Sequence, residues 1–254
     1  MDELDRRRRH LVLAICCASA FVVVLDISIV TVALPAIRRD LHATNSELQW
    51  VVDAYTLVLA GLLVAAGSTA DRVGRRRTFQ VGLAVFGLGS LLCGLAPSIG
   101  WLIAARALQA VGGSMLNPVA MAIIATTFPD RAERARAIGW FGSMTGLSLA
   151  LGPILGGALV DGLGWHAIFW VNVPVVVAAI GCTARFVPES RAARARRFDP
   201  VGQLLVVLVL GGLVYAIIES RTWGWASPGI LGPLAMGALG VLGILAYEPR
   251  RADP

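Results

Sequence analysis

The sequence predicts an all-α integral membrane protein: a bundle of six transmembrane helices followed by two further transmembrane helices, eight spans in total. Hydrophobic residues make up 57% of the chain and charged residues only 15%, and the mean hydropathy is +0.73. A soluble domain carries about 25% charged residues. The apolar residues form long runs, and about 20 apolar residues of helix cross the hydrocarbon core of a bilayer.

Eight apolar runs define the spans. The first follows Arg6–Arg9, which is also how a signal peptide begins, but its apolar character continues to Pro35. A signal peptide has an apolar core of roughly 7–15 residues, so this run is interpreted as an uncleaved span. The predicted spans are 11–34, 47–69, 78–96, 101–123, 138–160, 167–187, 203–219 and 229–247.

The arginines predict the orientation. All of the positive side-chain charge is arginine, because the chain has no lysine. If the N-terminus is inside, the inner segments hold 18 arginines and the outer loops three, with Arg106 inside a span. Cytoplasmic loops of membrane proteins carry such an excess. Both termini are therefore expected in the cytoplasm of a cell-membrane protein, and the basic charge indicates lipid bilayer and not nucleic acid as the partner.

The longest inner loop suggests a domain boundary. Residues 188–200 are rich in Arg and Ala and could form a short surface helix. We therefore divide the chain into a six-helix domain (1–187), a cytoplasmic linker (188–200) and two extra transmembrane helices with a short tail (201–254).

Enzymatic chemistry is not indicated. The four cysteines lie in apolar runs, where they act as small hydrophobic residues, and the three histidines lie in or beside loops. No span carries an interior histidine or an obvious pair of carboxylates. We therefore expect no enzyme, no metal and no cofactor.

A charged turn between the second and third spans is the first candidate site. Residues 67–78 place Asp71 among four arginines, and Gly67 and Gly74 are expected to let the backbone turn sharply. Asp71 is expected either to pair with a neighbouring arginine or to cap the next helix. A positively charged topology anchor would explain the same charges. The candidate residues are Gly67, Asp71, Arg72, Gly74, Arg75 and Arg76.

Two ionisable residues inside spans form the second candidate site. Asp26 lies in the first span and Arg106 in the fourth. Counting residues from the outer end of each span places both in the outer half of the bilayer. Such residues are rare and mark functional sites, although a packing hydrogen bond is the plain alternative. Asp53 reaches a similar depth and competes as the partner of Arg106.

The fifth span is the third candidate, because small residues recur along it. The series Gly142, Gly146, Ala150 and the pair Gly152, Gly156 form stripes that allow close helix contact. Pro153 can kink the helix. The residues singled out in this span are Gly146, Gly152, Pro153, Gly156 and Gly157.

Several of these motifs resemble those of the major facilitator superfamily. The turn around Asp71 is similar to the signature loop of that superfamily. The series from Arg106 to Gly113 resembles its helix-four motif, with Ala110 in place of the usual glycine. Residues 146–157 resemble the helix-five motif of antiporters. Further motifs resemble the drug:proton antiporters with fourteen helices: Leu25–Pro35, Trp165–Pro174, Phe198–Gly202 and Trp223–Trp225.

The resemblance implies proton-coupled efflux of small amphipathic molecules. Asp26 and Arg106 would belong to the proton-coupling region, the Asp71 loop would steady one state of the gate, and the helix-five motif would form a hinge or seal. The family uses two six-helix halves, and this chain supplies one plus two extra helices. We expect a fragment of a longer transporter; the alternative is a truncated, non-transporting remnant or a half that needs a second transporter half as partner.

Overall fold

A computed structural model describes residues 6–191 and 199–247, and within these ranges every regular element is an α-helix. The helices are α1 (Arg6–Leu41), α2 (Asn45–Val73), α3 (Arg75–Gly94), α4 (Ile99–Thr127), α5 (Arg131–Leu163), α6 (Ala167–Trp170), α7 (Asn172–Phe186), α8 (Pro200–Trp223) and α9 (Pro228–Tyr247). The all-α fold class is confirmed.

The predicted number of spans is also confirmed. Eight helical segments are long and apolar enough to cross a membrane, and the sixth of them, Ala167–Phe186, contains both α6 and α7. The two meet at Val171, so this span is interrupted near its start. The break places Asn172 at the first position of α7.

Several helix ends differ from the predicted span edges. Helix α1 continues through Pro35 to Leu41, and α2 continues through Gly67 to Val73. Hydropathy marks the bilayer core, whereas a helix can extend beyond it with polar turns. The prediction that Gly67 forms part of the turn is therefore wrong, and Gly74 alone separates α2 from α3.

Side-chain caps begin several helices. Thr44 and Glu47 form a reciprocal capping box at the start of α2, and Ser98 accepts the backbone N–H of Trp101 in α4. Asp130 caps α5 by accepting the backbone N–H groups of Glu133 and Ala132 at 2.9 and 3.0 Å. Hydrogen bonds to the ionised form, that from Glu133 first, lower the pKa of Asp130.

Helix α4 lies at the centre of the bundle, in contact with α1, α2 and α3, while α1 also packs against α5 and α7. Helices α8 and α9 form a hairpin that contacts the bundle through α8 and α2. Glu219 of α8 accepts hydrogen bonds from Ser46 and Trp50 of α2 at 2.7 and 2.9 Å. The extra helices are thus joined to the bundle by polar contacts as well as apolar ones.

One end of the bundle collects the arginine-rich segments, and we call it the basic end. Arg8 donates to the carbonyl of Phe186, and Arg9 pairs with Glu133 at 2.7 Å. The start of α1, the end of α7 and the start of α5 therefore lie together. At the opposite end, Trp165 donates to Asp40 at 2.8 Å. The arginine-rich segments thus lie at the basic end, and the segments with fewer arginines, at Asp40 and Trp165, lie at the opposite end.

Reporter fusions test which side of the membrane the basic end faces. Fusions after Arg77, Arg136 and Arg197 should report a cytoplasmic location, and fusions after Asp40 and Arg221 an external one, because arginine-rich loops stay inside. A single inverted pair would contradict the orientation. The boundary at 188–200 also stays a prediction, and the surface helix expected there falls mostly on residues 192–198, outside the described chain.

Candidate functional site

A buried ion pair lies between α1 and α4. The guanidinium of Arg106 donates through one terminal nitrogen to Asp26, and the two side chains are 1% and 0% exposed. Its Nε also donates to the carbonyl of Val51 at 3.2 Å. Burying two charges is unfavourable unless each is paired and hydrogen-bonded, and this pair meets both conditions.

Two side-chain amides complete the shell of Asp26. Gln109 and Asn172 donate to the same carboxylate oxygen at 2.8 and 2.9 Å, while Arg106 donates to the other. Both amides also donate to the Ser90 hydroxyl, at 2.6 and 3.3 Å. We call Asp26, Ser90, Arg106, Gln109 and Asn172 the Asp26 network.

Helices α1, α3, α4 and α7 each supply part of this network. Arg106 and Gln109 are three residues apart on α4 and therefore lie on one face, where the Gln109 carbonyl accepts from Arg106 at 2.7 Å. Asn172 reaches Asp26 from the start of α7, beside the break at Val171. Gln109 can donate and accept at once, so it connects the cation to the carboxylate.

Aromatic rings close the network on the side of the guanidinium. The ring of Tyr55 lies 4.1 Å from the guanidinium carbon of Arg106, within the range of a cation–π contact, and Phe169 lies at 5.9 Å. The Tyr55 hydroxyl is buried and makes no hydrogen bond with the described residues. It is therefore a polar group beside the ion pair that can accept a new partner when the pair rearranges.

The sequence predicted Asp26 and Arg106 at a common depth, and the structure brings them together. It does not bring Asp53 to Arg106, whose contacts with α2 are the carbonyl of Val51 and the ring of Tyr55. Ser90, Gln109 and Asn172 were missed as site residues. The available signal was their polarity inside spans, but a neutral polar residue can also satisfy the backbone of its own helix.

The charged turn forms a second polar centre, at the basic end. Asp71 at the end of α2 pairs with Arg75 at the start of α3 at 3.1 Å, so of the two roles predicted for Asp71, the arginine pair is the one observed. Arg72 lies in the last turn of α2. Arg75 also donates to the carbonyl of Ala122, near the end of α4, at 3.4 Å. This hydrogen bond links the charged turn to α4.

Glu189 connects the same turn to the chain beyond α7, a contact that the sequence analysis missed. Its carboxylate accepts the backbone N–H of Arg76 at 3.0 Å and lies 3.7 Å from Arg77. Gly74 has a φ of 127°, and a Cβ there would lie 2.6 Å from the Glu189 carboxylate. The positive φ favours glycine at position 74, and a side chain there would also displace the Glu189 carboxylate.

The small residues of α5 divide into two faces. A Cβ at Gly152 would overlap Ser28, and one at Gly156 would press on Ile29 and Val32, so these glycines allow α1 and α5 to pack closely. No atom lies within 4 Å of a Cβ placed at Gly146 or Gly157. Pro153 is exposed, and α5 continues through it without a break. The face with Gly152 and Gly156 thus packs against α1, whereas the face with Gly146 and Gly157 contacts no other helix in the described chain.

The described residues contain no cluster of three or more His, Cys, Asp and Glu side chains that could hold a metal ion. The polar groups gathered in the Asp26 network are one carboxylate, one guanidinium that stays charged, one hydroxyl, and two amides that can each donate and accept hydrogen bonds.

Eight segments that are long and apolar enough to cross a membrane, packed around a buried ion pair, define a polytopic α-helical membrane protein. The chain belongs to the Major Facilitator Superfamily, whose family model matches residues 16–249. The resemblance drawn from the motifs is thereby confirmed, and the family is one of transporters and not of enzymes. The fourteen-helix architecture stays a prediction.

Relatives of this chain carry names of resistance and export. It is 42% identical over 234 residues to the multidrug resistance protein Stp of Mycobacterium tuberculosis, covering 92% of this chain and 44% of that protein. It is 39% identical over 233 residues to the tetracenomycin C resistance and export protein of Streptomyces glaucescens, covering 91% and 43%. The chain thus spans about half the length of these curated relatives.

The fold matches that of solved transporters. A crystal structure of a peptide transporter of the POT family, a mutant in complex with sulfate, aligns with a TM-score of 0.68 at 16% identity, over 92% of this chain and 51% of that one. At this identity the match establishes the shared fold alone.

Proposed function

We propose that this chain forms the proton-coupling half of an efflux transporter, which expels small amphipathic molecules across the cell membrane in exchange for protons. The observation that carries the proposal is the Asp26 network, a carboxylate with three donors and a fully buried arginine beside it. Ionisable side chains inside membrane spans form proton relays in pumps and transporters. The names of the relatives support efflux as the direction of transport.

Proton binding at Asp26 would change the pairing of Arg106. A neutral carboxyl no longer compensates the guanidinium, which keeps its charge at any physiological pH. The amide of Asn172 can rotate so that its oxygen accepts the one O–H of the protonated carboxyl. Arg106 would then keep its bonds to Val51 and Gln109 and turn to the Tyr55 hydroxyl, which has no partner among the described residues. A shift in partners of this kind favours one conformation over another by the difference in their interaction energies.

The driving force is the proton gradient. One elementary charge moved across the membrane is worth about 2.3 kcal/mol per 100 mV. Vesicles that contain the complete transporter should expel substrate faster when an inward proton gradient is imposed, and an uncoupler should remove the difference. A rate that is indifferent to the gradient would contradict proton coupling while leaving efflux itself intact.

A second helical bundle would complete the transport pathway. Major facilitator transporters place their substrate site between two halves, and the open face of α5 with Gly146 and Gly157 is suited to close contact with another helix. The alternative is a chain that inserts into the membrane without transporting. Co-expression with a second bundle distinguishes these: efflux that needs both parts supports the half-transporter, and no efflux from the pair supports the alternative.

The turn around Asp71 would stabilise one state of the gate. Replacing Asp71 with asparagine keeps the shape but removes the partner of Arg75, so α3 loses its charged link to α2 at the basic end. In the complete transporter we expect normal membrane insertion with efflux reduced about tenfold, about 1.4 kcal/mol in the gating equilibrium. Efflux assays on matched membrane amounts measure this. An unchanged rate would leave the arginines as topology determinants only.

A further inference from the structure

At the basic end, a cavity of about 170 Å³ lies where the start of α1 meets the end of α4 and the start of α5. It is separate from the Asp26 network and from the Asp71 turn, and none of the roles proposed above uses it. Its lining combines charged and apolar side chains: Arg6, Arg9, His10, Leu13, Phe128, Glu133, Arg136, Ala137 and Trp140.

The charge of this cavity is positive. Three arginines face one carboxylate, and that carboxylate, Glu133, is already paired with Arg9 at 2.7 Å. Arg6 and Arg136 contribute two positive charges in excess. Arginine presents several N–H donors in a planar fork, which suits the oxygens of a phosphate.

Arg9 carries a hydrogen-bonding group that is not used. Its Nε–H is buried and has no acceptor among the described residues, although its terminal nitrogen is satisfied by Glu133. His10 donates from Nδ1 to the carbonyl of Arg6 at 2.7 Å, since a carbonyl can only accept. The ring of His10 is thereby held by the α1 backbone.

The apolar part of the lining indicates what kind of phosphate would fit. Leu13, Phe128 and Ala137 form the wall on the side of the span. Trp140, one helical turn beyond Arg136 on α5, is 61% exposed. Tryptophan is enriched where membrane helices meet the headgroup layer. A free phosphate would use the arginines alone, whereas an amphipathic anion would use both parts of the lining.

We propose that this cavity binds the phosphodiester headgroup of an anionic phospholipid, with an acyl chain along Trp140. Basic pockets between transmembrane helices at the cytoplasmic side are suited to such headgroups. The bound lipid would connect α1 to α4 and α5 at the basic end. Like the orientation, the site is expected in the leaflet that the arginine-rich loops face.

Native mass spectrometry of the purified chain in mild detergent tests the proposal. Phosphatidylglycerol and phosphatidylcholine with identical acyl chains are added in equal amounts, and we expect phosphatidylglycerol to be retained preferentially. Arg136→Gln should lower its retention about fivefold, the effect of one arginine near an anionic surface. Arg131→Gln removes the same charge from the same helix outside the cavity and should change nothing. Equal retention of the two lipids, or equal losses in the two variants, would overturn the proposal.

Two further arms separate the possible ligands. Trp140→Ala should weaken the retention of phosphatidylglycerol, because it removes the contact to the acyl chain. Inorganic phosphate, added without lipid, should bind too weakly to be retained. If it is retained and depends on Arg136, the cavity takes free phosphate and the assignment to lipid is wrong. Circular dichroism checks that each variant is helical, and Arg6→Gln replaces Arg136→Gln if that variant does not fold.

Discussion

Replacing Asp26 with asparagine is expected to abolish gradient-driven efflux by the complete transporter and to leave the bundle folded. Asparagine has the size of aspartate, and its oxygen can still accept from Arg106, so α1 can still pack against α4. The stability should nevertheless fall, because the buried guanidinium loses its counter-charge. It cannot take up a proton, so an inward proton gradient has nothing to act on at this position. Efflux with the gradient should fall to the rate measured without it, while substrate binding partly survives.

The matched control for this variant is Asp53→Asn. Asp53 is a carboxylate in a neighbouring span, predicted at a similar depth, and Arg106 contacts the backbone of Val51 beside it and not its side chain. We expect the control to keep most of the gradient-driven efflux. The opposite outcome, coupled efflux in Asp26→Asn and uncoupled efflux in Asp53→Asn, would make Asp26 a packing residue and move the proton site to α2.

The spans were predictable because their cause is local. An apolar run such as 203–219 is driven out of water whatever residues surround it. Arginines in alternate loops then indicate which loops lie on the same side of the membrane. The helix ends were less predictable. Residues 36–41 of α1 and 67–73 of α2 are mostly polar or small, so the hydropathy falls and the predicted span ends, while backbone hydrogen bonding continues the helix.

The Asp26 network was only half predictable. A charged residue inside a span requires a partner, which identifies Asp26 and Arg106 from the sequence alone. Asn172 carries no such requirement. It lies 146 positions from Asp26, and the packing of α7 against α1 brings the two side chains together. Glu189 reaches the N-terminus of α3 over 113 positions. Contacts of this kind depend on the packing, which one sequence does not reveal.

Removing Arg106 is expected to cost more stability than removing both charges of the pair. Arg106→Met preserves the apolar stem but leaves Asp26 buried without its cation, and breaking a buried pair on one side costs about 3–5 kcal/mol. The midpoint of thermal unfolding of the purified protein should therefore fall clearly. The double variant Asp26→Asn with Arg106→Met contains neither charge, and Gln109 and Asn172 can still bond to the new amide. It should regain most of the lost stability.

Efflux should separate from stability in the same series. If the pair couples protons to transport, the double variant is stable and still fails to respond to a proton gradient, because neither the proton site nor its switching partner is present. If the pair only holds α1 against α4, regained stability should bring regained efflux. Arg38→Gln, an exposed arginine at the end of α1, serves as the control for loss of one positive charge and should match the unmodified protein in both measurements. Equal stability of the single and double variants would show instead that Asp26 does not depend on Arg106 for its charge.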